Sequence, residues 1–142
     1  MIVDERIVTF INSLETRNSE ILETIEREAL ASDIPIIKKE TQSLLKVLLM
    51  IQKPMRILEV GTAIGFSALL MSEYAPDECR ITTIENYEKR ITIASTNLAR
   101  AGKEDVITLI EGDAAQVLEK LEGTYDFIFM DAAKGQYLNF LP

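Results

Sequence analysis

From Arg56 onward the chain alternates short apolar runs with amphipathic stretches, and no other feature constrains its fold so strongly. Ile57 to Val60, Arg80 to Ile84, Val106 to Ile110 and Tyr125 to Met130 are short and rich in β-branched or aromatic residues, as strands are. Between them, Ser67 to Tyr74, Glu88 to Ala101 and Ala114 to Leu121 read as helices, the second with Ile91, Ala94 and Leu98 aligned on one face. Strands separated by helices cannot pair as hairpins. The order therefore predicts an α/β fold: a doubly wound, mostly parallel sheet with right-handed crossovers and helices on both faces.

The N-terminal third has a different rhythm. Ile7, Phe10, Ile11 and Leu14 recur at helical spacing, as do Ile21, Leu22, Ile25, Ala29 and Leu30, and then Leu44, Leu45, Leu48 and Leu49. Ser19 is placed to cap the second of these helices, although Leu22 stands where a capping box needs Glu or Gln. Asp33-Ile-Pro35 separates the second helix from the third, and Pro54 ends the third. Residues 1–55 are thus expected to be helices covering a substrate or partner region, and residues 56–142 to be the cofactor-binding part of the same domain.

At 142 residues the chain is about one domain long, and 47% hydrophobic against 27% charged residues argues for a packed core over global disorder. No apolar run approaches the roughly 18 residues of a membrane span, and Asp4 and Glu5 stand where a secretory signal needs basic residues. A cytoplasmic location is expected. The single cysteine, Cys79, cannot form an internal disulfide and reads as an ordinary, partly buried thiol. The absence of histidine excludes Ser-His-Asp catalysis and histidine-bearing metal sites within this sequence. A net charge of -8 lowers the expectation of a phosphate-backbone partner, while Lys38-Lys39 leaves room for a local basic patch.

Acidic residues recur at the strand exits: Glu59 near the end of the first, Glu85 ending the second, Asp113 after the third and Asp131 after the fourth. In doubly wound sheets, ligands bind outside the carboxyl ends of the strands, where the strand order reverses. The first exit, Glu59-Val-Gly61-Thr-Ala-Ile-Gly65-Phe-Ser67, turns a strand into a helix through two glycines. Gly61 permits a conformation closed to other residues and close ligand approach, and Gly65 permits tight helix packing. Alone, this loop fits either a structural turn or a small-molecule site. Glu85, 24 residues after Gly61, is placed to accept the hydroxyls of a ribose. Together the two favour a nucleoside-bearing cofactor, and the lack of Lys or Arg between Gly61 and Ala75 fits one without a pyrophosphate.

The segments Ile57 to Ala68, Thr83-Ile-Glu85, Glu111-Gly-Asp113-Ala114 and Phe127 to Tyr137, in this order, resemble the class I S-adenosylmethionine-dependent, cation-dependent O-methyltransferases of the catechol and caffeoyl-coenzyme A type. Within that family the first loop, Glu85 to Arg90 and Asp131 to Tyr137 look most like the bacterial branch that methylates 5-hydroxyuridine in tRNA. The resemblance implies a Rossmann-like methyltransferase fold. It also implies cofactor contacts from Glu59, Gly61, Thr62, Gly65, Ser67, Glu85, Asp113, Ala114 and Asp131. Glu59 and Gly61 would support the methionine portion, Ser67 its carboxylate, Glu85 the ribose, and Asp113 with the Ala114 amide the adenine.

By the same resemblance, Asp131 is a ligand of Mg²⁺ or another divalent cation, and Lys134 the general base that takes the hydroxyl proton. Ile36, Ile37, Lys38 and Tyr137 belong to the substrate region, and the family's homodimers make a second copy an expected partner. Family members place an Asp-Asn pair of further metal ligands after the next strand, so the chain is expected to be C-terminally incomplete. The expected function is metal-assisted methyl transfer to 5-hydroxyuridine in tRNA. The alternatives are a catechol-like or other small-molecule hydroxyl substrate, or a noncatalytic S-adenosylmethionine-binding fragment. Without the resemblance, Asp131 reads as a strand-terminal acid, Lys134 as a solvated loop lysine, and Ile36 and Ile37 as packing beneath the first helices.

Overall fold

Four parallel strands form the sheet in a computed structural model that describes residues 4–131. The elements run α1 (Glu5–Ser13), α2 (Glu20–Ala31), α3 (Lys39–Gln52), β1 (Arg56–Val60), α4 (Phe66–Tyr74), β2 (Arg80–Glu85), α5 (Glu88–Arg100), β3 (Ile107–Glu111), α6 (Ala114–Lys120) and β4 (Phe127–Met130). Their order across the sheet is β3-β2-β1-β4, so the strand order reverses beside β1. The register pairs Glu59 with Thr83 on one side and with Phe129 on the other.

Side chains alternate across a strand, and the two faces bury different sets. Ile57, Ile81 and Ile107, with Phe127 and Phe129 packed against them, join the larger core formed with α2, α3, α4 and Leu98 of α5. Leu58, Val60 and Ile84 face the other way, where Ala114, Val117 and Leu118 of α6 pack on them. Helices thus cover both faces, as the strand-helix alternation predicts.

Local chemistry explains the element ends. Asp4 caps α1 by accepting from the Arg6 amide at 2.8 Å. At the end of α3, Lys53 takes the left-handed conformation at φ 48 immediately before Pro54, which cannot continue the helix. The Asp126 carboxylate accepts from the Met55 and Arg56 amides, each at 2.9 Å, and ties the entrance of β1 to that of β4. These bonds hold the Asp126 carboxyl below the usual carboxylate range.

Three helical expectations are corrected. Ser19 makes no side-chain cap; its hydroxyl donates to Glu73 of α4 at 2.6 Å, so it joins two helices instead of ending one. Of the α3 stripe, Leu45 and Leu49 are buried whereas Leu44 and Leu48 are exposed, and on α2 Leu30 is also exposed. On α1, all four spaced residues, Ile7, Phe10, Ile11 and Leu14, are exposed. Their periodicity marks an apolar face but does not supply the surface that would cover it. Cys79 is buried, and burial pushes its thiol up to about 11, the form suited to an inert core residue.

Candidate functional site at the strand exits

Parallel pairing brings the C-terminal ends of β1, β2 and β4 to one edge of the sheet. Val60 lies opposite both Ile84 and Met130, so Gly61, Glu85 and Asp131 follow at neighbouring positions. The Asp131 amide donates to the Val60 carbonyl at 2.9 Å, and the Gly61 and Thr62 amides donate to the Ile84 carbonyl at 3.0 and 3.1 Å. The loop between β1 and α4 therefore begins as an extension of the sheet.

The loop then turns sharply. Gly61 has φ 101 and Gly65 has φ 85, conformations that favour glycine. For Gly65 this corrects the expected reason: a Cβ there would meet Ala94 at 3.7 Å, ordinary contact, so backbone conformation and not tight packing requires the glycine. Ala63 also has a positive φ, 48, which costs an L-residue about 1 kcal/mol or more. Its amide donates to Glu85 Oε2 at 2.9 Å, and Asn97 Nδ2 of α5 donates to the Ile64 carbonyl at 2.9 Å. Residues distant in sequence thus hold the strained loop.

Glu85 is half-buried at the end of β2. Besides Ala63, the amides of Asn86 and Tyr87 donate to its Oε1 at 3.0 and 3.1 Å. A carboxylate offers about four acceptor positions, so one remains for a ligand and others become available only if an amide yields. Asp113 caps α6 and accepts from the Gln116 amide at 3.2 Å, with Ala114 opening the helix behind it. Asp131 is exposed.

Glu59 differs from these acids because it is fully buried, on the larger-core face of β1. Thr83 donates to its Oε1 at 2.6 Å, and the Ser67 hydroxyl donates to its Oε2. Burial raises the Glu59 carboxyl to about 7; the two hydroxyls oppose that rise, and the negative charges of Asp131 and Glu85 add to it. Glu59 therefore braces the loop from beneath. Ser67 has spent its single hydroxyl proton on Glu59, which leaves its backbone amide, in the first turn of α4, as the donor for a ligand.

This geometry fits a cofactor with an amino-acid end and a ribose. The N-terminus of α4 has no side-chain cap, so its first-turn amides can meet a carboxylate. Glu85, at the end of the neighbouring strand, is a carboxylate acceptor with one position left open by its three amide donors. A divalent cation fits the described residues less well: among them, no three Asp, Glu or Cys side chains converge to hold a metal. Asp131 alone is too few ligands for a tight Mg²⁺ site.

The other expected site residues divide in two. Ile36 and Ile37 pack against the larger core, and with Lys38 they also line a surface hollow of about 370 Å³ together with Glu26 and Lys39. Lys134 and Tyr137 lie outside the described residues. Thr83 and Asn97 are structural partners of the site that motif reading passed over. A signal for Thr83 was present: it is two residues from Ile81 in β2 and so must share its buried face, where a threonine needs a partner.

The O-methyltransferase family model matches residues 12–142. A caffeoyl-CoA O-methyltransferase from Stellaria longipes is 33% identical over 103 residues, covering 68% of this chain and 43% of the relative. A catechol O-methyltransferase from Mycobacterium tuberculosis is 38% identical over 80 residues, 56% of this chain and 36% of that protein. The chain thus spans less than half the length of these curated relatives. Among solved structures, the SAH-bound Podospora anserina methyltransferase PaMTH1 superposes with a TM-score of 0.87 at 29% identity, covering 96% of this chain and 60% of that one.

Proposed function

The chain belongs to the O-methyltransferase family and has its α/β Rossmann-like fold, and from that premise we propose that it binds S-adenosylmethionine at the β1, β2 and β4 exits for methyl transfer to a hydroxyl oxygen. The observation that carries this reading is the loop from Gly61 to Gly65, set between buried Glu59 and Glu85 at the end of β2, whose carboxylate accepts from the Ala63 amide. The first-turn amides of α4, which have no side-chain cap, would hold the cofactor's carboxylate. Glu85 would hold a ribose hydroxyl at its remaining acceptor position, and a second only where one amide donor yields. Asp113 and the Ala114 amide form the adenine end.

S-adenosylmethionine supplies a methyl carbon already activated by a sulfonium, so the protein's part is to align an oxygen with it and remove that oxygen's proton. Alignment alone lowers the barrier by several kcal/mol. Lys134 is the residue proposed to accept that proton as general base. Asp131 would supply one oxygen ligand for a divalent cation, with the others coming from outside residues 4–131.

For the substrate, the likeness to caffeoyl-CoA and catechol O-methyltransferases favours a catechol-like small-molecule hydroxyl, and the net charge of -8 agrees with it. The resemblance of the first loop and of Glu85 to Arg90 to the branch that methylates tRNA favours 5-hydroxyuridine in tRNA. Transfer assays with S-adenosylmethionine and Mg²⁺, offering a catechol or hydroxylated tRNA, separate the two. Salt-sensitive binding of tRNA with no turnover of catechol supports the nucleic-acid substrate, and the converse supports the small molecule. Replacing both Asp131 and Lys134 by Ala is expected to lower turnover about 100-fold, the effect of removing a general base. Undiminished turnover rejects those two roles, and cofactor binding without turnover of either substrate favours a noncatalytic binding module.

A further inference from the structure

The core beneath the cofactor loop contains an unusual polar group. Glu59, Thr83 and Thr62 are 0%, 0% and 1% exposed, and Ser67 only 8%. A buried polar group without a partner destabilises the fold, so each of these side chains requires the others. Thr83 is central. Its hydroxyl donates to Glu59 Oε1 at 2.6 Å and lies 2.6 Å from the Thr62 hydroxyl.

A threonine hydroxyl carries one proton. The Thr83 proton goes to Glu59 Oε1, so Thr62 is the donor in the bond between the two threonines. The chain of donors then runs in one direction, from Thr62 in the loop through Thr83 in β2 to Glu59 in β1. Thr62 lies between Gly61 and the strained Ala63, where the loop turns. Glu85, the Ile84 carbonyl and Asn97 hold the loop's backbone, whereas Thr83 holds a loop side chain. Valine has the same shape as threonine and would suit a buried strand, so packing gives no reason for a hydroxyl here.

The geometry points to Thr83 as a positioning residue for cofactor binding: it sets the conformation of the Gly61 to Gly65 loop through Thr62 and Glu59 and, being fully buried, touches no cofactor atom itself. This inference rests on the reading of the loop as the S-adenosylmethionine site. A loop already in its bound shape pays less ordering entropy when the ligand arrives, so loss of the bridge weakens binding.

Calorimetric titration with S-adenosylhomocysteine, alongside thermal denaturation of each protein, tests it. Thr83→Val keeps the shape and loses the hydroxyl; Thr83→Ser keeps the hydroxyl and loses a buried methyl. We expect Val to weaken binding about tenfold or more and Ser to stay within about threefold of the unaltered protein. A role in packing alone gives the opposite order, with Ser worse than Val. Equal affinity of the Val variant and the unaltered protein, or a Ser variant as weak as Val, overturns the inference. If Thr83→Val does not fold, Thr62→Val, which leaves the Thr83 to Glu59 bond intact, must itself weaken binding severalfold, and unchanged affinity overturns the inference. Failure of the unaltered protein to bind S-adenosylhomocysteine overturns the cofactor reading and this inference with it.

Discussion

Replacing Glu59 by Gln is expected to make the protein more stable at pH 8 than at pH 4.5, relative to the unaltered chain, by about 3 kcal/mol. The cause is the burial of a carboxyl whose folded-state value is raised from 4.5 to about 7. A raised acid binds its proton more tightly when folded. Its contribution to stability is therefore fully present below pH 4.5 and is lost as pH rises through 7, where folding must bury a charge. Glutamine keeps the shape and does not titrate, and the hydroxyls of Ser67 and Thr83 can rotate to meet its oxygen and amide. The lowered acids Glu23, Glu28 and Asp126 act in the opposite sense at lower pH, but both proteins share them and they cancel in the difference. Urea unfolding at several pH values measures that difference. A gap that does not widen between pH 4.5 and 8 rejects the buried, raised carboxyl.

Leu49→Ala is expected to cost about 2 to 5 kcal/mol, because it removes a large buried side chain and leaves a cavity. Leu49 is 0% exposed, on the helix that packs on α4, in a core shared by Leu22 and Ile25 of α2, Leu69 and Leu70 of α4, and Ile57 and Ile81 of the sheet. Since one core joins the N-terminal helices to the strands, the loss should appear as one cooperative transition at lower urea concentration. The chain has no tryptophan, so far-UV circular dichroism is the suitable probe. Leu44→Ala, five residues away on the exposed side of the same helix, should change stability by no more than about 0.5 kcal/mol. Equal effects of the two substitutions, or separate melting of the helices and the sheet, would contradict this packing.

Much of the fold was legible in residue order. The four strands and the helices between them lie within a few residues of the positions that periodicity predicts, because both periods are local properties of the backbone. Parallel pairing followed from the helical crossovers, and the gathering of acids at one edge followed from parallel pairing. The helical faces were less legible. Spacing marks Phe10 and Leu49 alike as apolar-face residues, yet one is 63% exposed and the other buried, and nothing local distinguishes them.

The site divides along the same line. Its chain order, with Gly61, Glu85, Asp113 and Asp131 at successive strand exits, is determined by the amino-acid sequence alone, since a strand's end and a loop's glycines are defined by neighbours in the chain. Only the tertiary structure decided what each polar group does there. It turned Ser67 inward to Glu59, set Glu85 to hold Ala63, and placed Thr83 between two loop anchors. Hydrogen bonding and desolvation depend on which atoms approach in space. For Glu59 those atoms come from α4 and β2, 8 and 24 residues away in sequence.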